Sequence, residues 1–128
     1  MEKMIIPADD EFPEIDFNAQ TGNLSIKGSF YSFSGINDRF FKLLLDWTKG
    51  YALTAQEQTT MNIQLDYFGT EVSKLLLYIF YNLRDIHNTG KHVCINWYYD
   101  ESNIDILEIG QDYKSMLNFP FNLIKINK

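Results

Sequence analysis

The chain has 128 residues, and its 17 acidic and 11 basic side chains give a formal net charge of −6. This length fits one domain, so we expect a single domain over residues 1–128, with residues 1–12 as a flexible N-terminal segment. An acidic domain repels the phosphates of nucleic acids and of anionic membranes, so neither is an expected partner. The sequence shows no apolar run long enough to span a bilayer and no signal peptide, and the single Cys94 cannot form an internal disulfide. These features predict a cytoplasmic protein without membrane insertion.

The first half of the chain predicts a β-hairpin, a helix and a strand. Two short alternating runs, 14–17 and 24–28, flank a turn at residues 21–23. After a boundary at residues 34–38, Asn37 or Asp38 is placed to cap a helix that ends near residue 50. Strict alternation over residues 61–67 predicts the next strand.

The second half predicts two helices and two strands. Apolar residues at helical spacing predict a long helix over residues 71–88, and alternation predicts a strand over residues 93–97. A third helix follows the polar loop at residues 100–103, and Pro120 separates it from a last strand at residues 121–126.

The order β-β-α-β-α-β-α-β contains strand–helix–strand crossovers, which join parallel strands. Strands buried on both faces read as continuous apolar runs, whereas the strands here alternate. The sequence therefore predicts an α/β fold built on a single sheet of about five mixed strands, with the helices mainly on one face.

The sequence lacks the motifs of nucleotide-binding loops and of nucleophile elbows, and its two His and single Cys provide no zinc spacing. A dyad of His92 and Cys94 is formally available, but Cys94 lies in a regular strand, where a structural Cys is the ordinary case. We therefore expect no catalytic residue, no metal and no cofactor.

Acidic residues cluster late in the chain. By spacing, Glu101, Asp105, Glu108 and Asp112 share one side of the third helix. This pattern fits a solvated helix face, an acidic docking surface, or the metal site of a small hydrolase.

The segment from Tyr67 to Lys74 has a strand end, a glycine turn and a hydroxyl residue at a helix start. Ligands and regulatory groups favour this place in α/β sheets. Thr70 either caps the helix, accepting from the backbone N–H of Val72 or Ser73, or is phosphorylated. A phosphate would lie on the free N–H groups of the helix start, where its charge would repel an acidic docking partner.

Four segments together resemble the SiaC family of bacterial regulatory phosphoproteins, in the same order and at similar spacing over residues 13–126. They are Pro13-Glu14-Ile15-Asp16-Phe17-Asn18 with Thr21-Gly22, Leu65-Asp66-Tyr67-Phe68-Gly69-Thr70 with Ser73-Lys74, Val93-Cys94-Ile95-Asn96-Trp97-Tyr98-Tyr99, and Phe119-Pro120-Phe121-Asn122-Leu123-Ile124.

The resemblance implies a STAS-like fold, of the anti-sigma-factor-antagonist type, and a non-enzymatic switch protein. A dedicated serine/threonine kinase would phosphorylate it and a PP2C-type phosphatase would reverse this. In the family's founding system the unphosphorylated form activates a diguanylate cyclase, which promotes cyclic-di-GMP signalling and biofilm formation.

The family's phosphoacceptor threonine matches Thr70, with Ser73 as the fallback acceptor one turn on. Family members often carry Asn before the threonine and a run of Ser after it, whereas this sequence has Gly69, Glu71 and Val72. The predicted partner-binding rim is formed by Tyr67, Phe68, Gly69, Glu71 and Lys74. The alternatives are a constitutive interaction domain without a switch, and a small metal-dependent hydrolase that uses Asp105 and Glu108.

Overall fold

The computed structural model describes residues 1–31 and 37–127, without the side chain of Asn37. In these ranges it has three helices and one sheet of six strands in the order β1-β2-β3-β4-β5-β6. The elements are β1 Met4–Ile6, β2 Glu14–Asn18, β3 Asn23–Ser29, α1 Asn37–Leu53, β4 Gln58–Tyr67, α2 Thr70–Asn88, β5 His92–Asp100, α3 Ile104–Leu117 and β6 Phe121–Ile126.

The sheet combines an antiparallel and a parallel half. Strands β1, β2 and β3 form an antiparallel meander, and β3 to β6 run parallel. The hairpin between β2 and β3 turns at Gly22, whose φ of +78° lies in the left-handed region that favours glycine. Crossovers that follow one another in the same direction and with the same hand place their helices on one face.

The core lies between the helices and that one face. Alternate residues of β4 and β5 are buried; Met61 and Ile95 are fully so. Their neighbours in the chain, Asn62 and Asn96, lie on the other face and are half-buried. The predicted single sheet with helices on one face is confirmed. The sheet has six strands where about five were predicted. The additional strand β1 lies within residues 1–12, where it pairs with β2.

Element ends differ from the predictions where pairing or packing extends them. Strand β5 reaches Asp100 because Asp100 pairs with Ile126 of β6. Helix α1 continues to Leu53, since the buried Tyr51 anchors its last turn by bonding to Thr59 of β4 at 2.7 Å. The predicted boundary at residues 34–38 lies mostly outside the described residues, and Asp38 is in the first turn of α1.

Helix α3 is fixed to the sheet through Trp97. The buried indole nitrogen of Trp97 donates to the carbonyl oxygen of Ile106 at 2.9 Å. Gly110 permits this close approach, because a Cβ at that position would lie 2.5 Å from Cδ1 and Nε1 of Trp97. The same contact brings α3 alongside the carboxyl end of β4.

Candidate functional site

Thr70 is the first residue of α2 and its side chain is exposed. The helix cap is Gly69, with extended backbone (φ −94°, ψ −176°) and no side-chain cap hydrogen bond. The alternative in which Thr70 caps the helix is therefore wrong, because the chain enters the helix one residue earlier. The first turn of α2 presents backbone N–H groups that no cap side chain satisfies, at the positive end of the helix dipole.

Ser73, the fallback acceptor, is less accessible than Thr70. It is half-buried, and its hydroxyl lies 3.5 Å from the carbonyl oxygen of Gly69. Its own carbonyl accepts a 2.7 Å hydrogen bond from the hydroxyl of Tyr113. Burial raises the pKa of Tyr113 to about 12, so this hydroxyl keeps its proton to a higher pH than an ordinary tyrosine does.

The residues of the predicted rim differ in exposure. Tyr67 is half exposed and stacks on Tyr31 with ring centroids 5.3 Å apart. Phe68 is 8% exposed and packs edge-to-face against Trp97, so its main contacts are with the core. Gly69, Glu71 and Lys74 are exposed. The rim therefore offers one aromatic ring and two charged side chains around Thr70.

Two grooves divide these residues between them. The first, called here the β4–α3 groove, has a volume of about 440 Å³ and is lined by Asp66, Tyr67, Phe68, Asn103, Asp105, Ile106, Glu108, Ile109 and Asp112. The second, the α1–α2 groove, has about 260 Å³ and is lined by Asp38, Phe41, Leu45, Glu71, Lys74, Leu75 and Tyr78. Tyr67 and Phe68 belong to the first groove, and Glu71 and Lys74 to the second.

The acidic residues of the third helix only partly share one side. Asp105, Glu108 and Asp112 line the β4–α3 groove together, as their spacing predicts. The prediction is wrong for Glu101, because α3 begins at Ile104 and Glu101 lies in the preceding turn, 3.9 Å from Lys125. Within residues 1–31 and 37–127, no three His, Cys, Asp or Glu side chains are placed to hold a metal ion.

Cys94 belongs to a polar network that the sequence analysis did not identify. Asn62, Asn96 and Asn122 stand in register on three adjacent strands of the uncovered face. Asn122 donates to Asn96 at 3.1 Å, and Asn96 donates to Asn62 at 3.0 Å. Cys94 contacts Asn96 and Asn122, and burial raises the pKa of its thiol, which disfavours a nucleophilic thiolate. The alternation of each strand showed in the sequence which residues are polar, but it did not show that Asn62, Asn96 and Asn122 lie side by side on neighbouring strands.

The fold and the site together define an α/β domain with one mixed six-stranded sheet and an exposed threonine at the start of the helix that follows β4. In the described part of the chain, no helix is long and apolar enough to cross a membrane.

The chain belongs to the SiaC family of regulatory phosphoproteins, whose sequence profile matches residues 6–126. It is 26% identical over 121 residues to an uncharacterised protein of Pseudomonas aeruginosa strain UCBPP-PA14, an alignment that covers 94% of each chain.

Solved structures of SiaC from Pseudomonas aeruginosa share the fold. One matches with a TM-score of 0.87 and 25% identity, over 98% of this chain and 100% of that chain. Another is a complex in which SiaC is the activator of the diguanylate cyclase SiaD; it matches with a TM-score of 0.87 and 25% identity, over 96% of this chain and 99% of that chain.

Proposed function

We propose that this chain is a cytoplasmic, non-enzymatic binding protein whose affinity for a diguanylate cyclase is switched by phosphorylation of Thr70. The observation that carries the proposal is the exposed Thr70 at an uncapped helix start, in a member of a regulatory phosphoprotein family. The Pseudomonas relative that binds a cyclase supports the class of partner. A serine/threonine kinase and a PP2C-type phosphatase would set the phosphorylation state.

The position of Thr70 makes a phosphate effective there. A phosphothreonine carries close to two negative charges at neutral pH, and the first-turn N–H groups of α2 favour an anion. Lys74 is one turn further along the exposed side of the helix, within the spacing at which side chains interact. Gly69 and Thr70, called here the ridge, stand in the chain between Phe68 of the first groove and Glu71 of the second. A phosphate on Thr70 therefore changes the shape and charge of the ridge.

The switch is tested first in the native host. Phosphopeptide mapping of protein from growing and stationary cells should find phosphate on Thr70 in one state and much less in the other. Full coverage of the peptide with Thr70 unmodified in both states would contradict the proposal and favour a constitutive interaction domain. Phosphate on Ser73 alone would move the switch to the fallback position.

Binding supplies the second test. The purified chain is titrated calorimetrically with the diguanylate cyclases encoded in the same genome, as the unchanged protein and as T70A and T70E. We expect T70A to bind like the unchanged protein and T70E to bind at least about tenfold more weakly. The matched control is T54E, because Thr54 is exposed just after α1, near the opposite end of β4. Equal binding by T70A and T70E would contradict the switch.

A further inference from the structure

The β4–α3 groove has a mixed apolar and polar lining, and hydrogen bonds fix its two sides relative to each other. Its floor contains Phe68 and Ile106, which are 8% and 4% exposed. Asn103 ties the two walls together, because its amide nitrogen donates to the carbonyl oxygen of Asp66 at 3.1 Å while its amide oxygen caps α3 at Ile106. A groove fixed in this way needs little rearrangement when a partner binds.

The charge of the lining selects the occupant. Four carboxylates line the groove, and among the described residues that line it there is no Lys or Arg. Three of them, Asp105, Glu108 and Asp112, project from successive turns of α3 and are exposed. A partner that covers Phe68 and Ile106 and brings positive charge to the rim would complement the three exposed carboxylates of α3.

Tyr67 of the groove lining, together with Tyr31 stacked on it, favours the same chemistry. Tyr67 and Tyr31 are 51% and 54% exposed, yet their rings are stacked and hold each other in place. Tyrosine faces attract Lys and especially Arg side chains, and ordered tyrosines are frequent at the centre of interfaces.

We propose that the β4–α3 groove binds a basic amphipathic segment of the partner, with apolar side chains against Phe68 and Ile106 and Lys or Arg side chains against the α3 carboxylates. This rests on the proposed function, because it describes the partner surface that meets the region of Thr70. For a basic segment a phosphate on Thr70 adds attraction. Loss of binding on phosphorylation must then come from the bulk of the phosphate, not from repulsion.

The groove is tested with defined peptides on the full chain. The probe is a synthetic helical peptide of about four turns with Leu at positions i, i+3, i+4 and i+7 and Lys elsewhere; its counterpart replaces Lys by Glu. Amide chemical shifts of the labelled protein should move for residues 66–68 and 103–112 with the Lys peptide only. Shifts centred on the α1–α2 groove, or spread over the whole acidic surface, would overturn the proposal.

Two double charge reversals separate a specific site from general attraction. D105K/E108K changes the groove, and D16K/D85K changes the net charge equally at two exposed positions elsewhere. We expect the first to weaken the Lys peptide at least about tenfold and the second about twofold or less. Equal effects would overturn the proposal. If circular dichroism shows that D105K/E108K does not fold, the milder E108Q/D112Q answers the same question with a smaller expected loss of peptide affinity.

The remaining outcomes are also decisive. If self-association of the protein moves the same amide signals without peptide, the groove is occupied by a second copy of the chain. That result would overturn the proposal. If T70E loses cyclase binding while D105K/E108K binds fully, the groove proposal is rejected and the proposed switch stands. If D105K/E108K loses binding while T70E binds fully, the groove proposal is supported and the switch is rejected.

Discussion

The indole nitrogen of Trp97 lies 2.9 Å from the carbonyl oxygen of Ile106, and this hydrogen bond joins β5 of the sheet to the floor of the β4–α3 groove. Trp97 is fully buried and also contacts Phe68, which forms part of the groove floor. Packing of the core and shape of the groove are therefore coupled through one side chain.

This coupling predicts a large cost for a methyl group at Gly110. Its Cβ would meet the indole of Trp97 at 2.5 Å and Leu123 at 2.9 Å, so G110A should lower the free energy of unfolding by about 1–3 kcal/mol. The matched control is G50A, also in a helix, where a Cβ meets only the end of the Met1 side chain at 3.3 Å. G50A should raise the free energy of unfolding by up to about 1 kcal/mol. Urea unfolding of both variants checks the prediction, and equal effects would contradict it.

A side chain at Gly69, next to Thr70, is expected to have the opposite effect on stability. Its φ is negative and its Cβ would meet nothing within 4 Å, so a side chain fits there without strain. G69N should supply the missing cap of α2 and raise the free energy of unfolding by a few tenths of a kcal/mol, roughly the difference between Asn and Gly caps. G69A is the control of similar backbone cost without a capping group. Unfolding curves in which G69A is as stable as G69N would show that no cap forms.

Burial of Tyr113 predicts a loss of stability in strong alkali. Its pKa in the folded state is about 12, above the ordinary value of 10, so the folded protein retains a proton that the unfolded chain releases. The contribution is complete below pH 10 and is lost as the pH rises towards 12. Ultraviolet titration should show Tyr113 ionising late.

Y113F provides the comparison for this titration. It removes the late tyrosine from the ultraviolet curve and also the hydrogen bond to Ser73. Its stability should fall less steeply with pH in that window than the stability of the unchanged protein. Identical slopes would contradict the assignment to Tyr113.

The hydrogen-bonded row of Asn62, Asn96 and Asn122, called here the asparagine ladder, predicts a loss of stability when its middle member is removed. Asn96 accepts from Asn122 and donates to Asn62, so N96A leaves the half-buried amide of Asn62 and the exposed amide of Asn122 without these partners. The expected cost is about 1 kcal/mol, because the site is partly open to water. Q64A, on the same uncovered face and equally half-buried, should cost less than about 0.5 kcal/mol. Thermal unfolding of both variants makes the comparison. A larger loss of stability for N96A than for Q64A would show that the hydrogen bonds of the ladder stabilise the fold, and equal losses would contradict this.

The sequence pattern predicted those features of the fold that depend on a single strand or helix. Alternation at residues 61–67 showed that one sheet face is covered, because neighbouring strand residues point to opposite faces. The ladder depends on which strands are adjacent, and the groove depends on Trp97 meeting Ile106 across the fold. Nor could the spacing decide between Gly69 and Thr70 as the cap, since both residues are compatible with a helix start.

The switch proposed at Thr70 can act through charge or through bulk, and variants of Thr70 separate the two. If the cyclase presents a basic segment to the β4–α3 groove, T70Q should weaken binding at least as much as T70E, because both enlarge the ridge but only Glu adds attraction. Raising the salt from about 50 mM to about 500 mM should weaken every complex without restoring T70E relative to T70A. Calorimetric titration of the three variants at both salt concentrations makes the comparison. Binding by T70E that is about tenfold weaker than by T70Q, and recovers at high salt, would show repulsion by an acidic partner and contradict the basic segment.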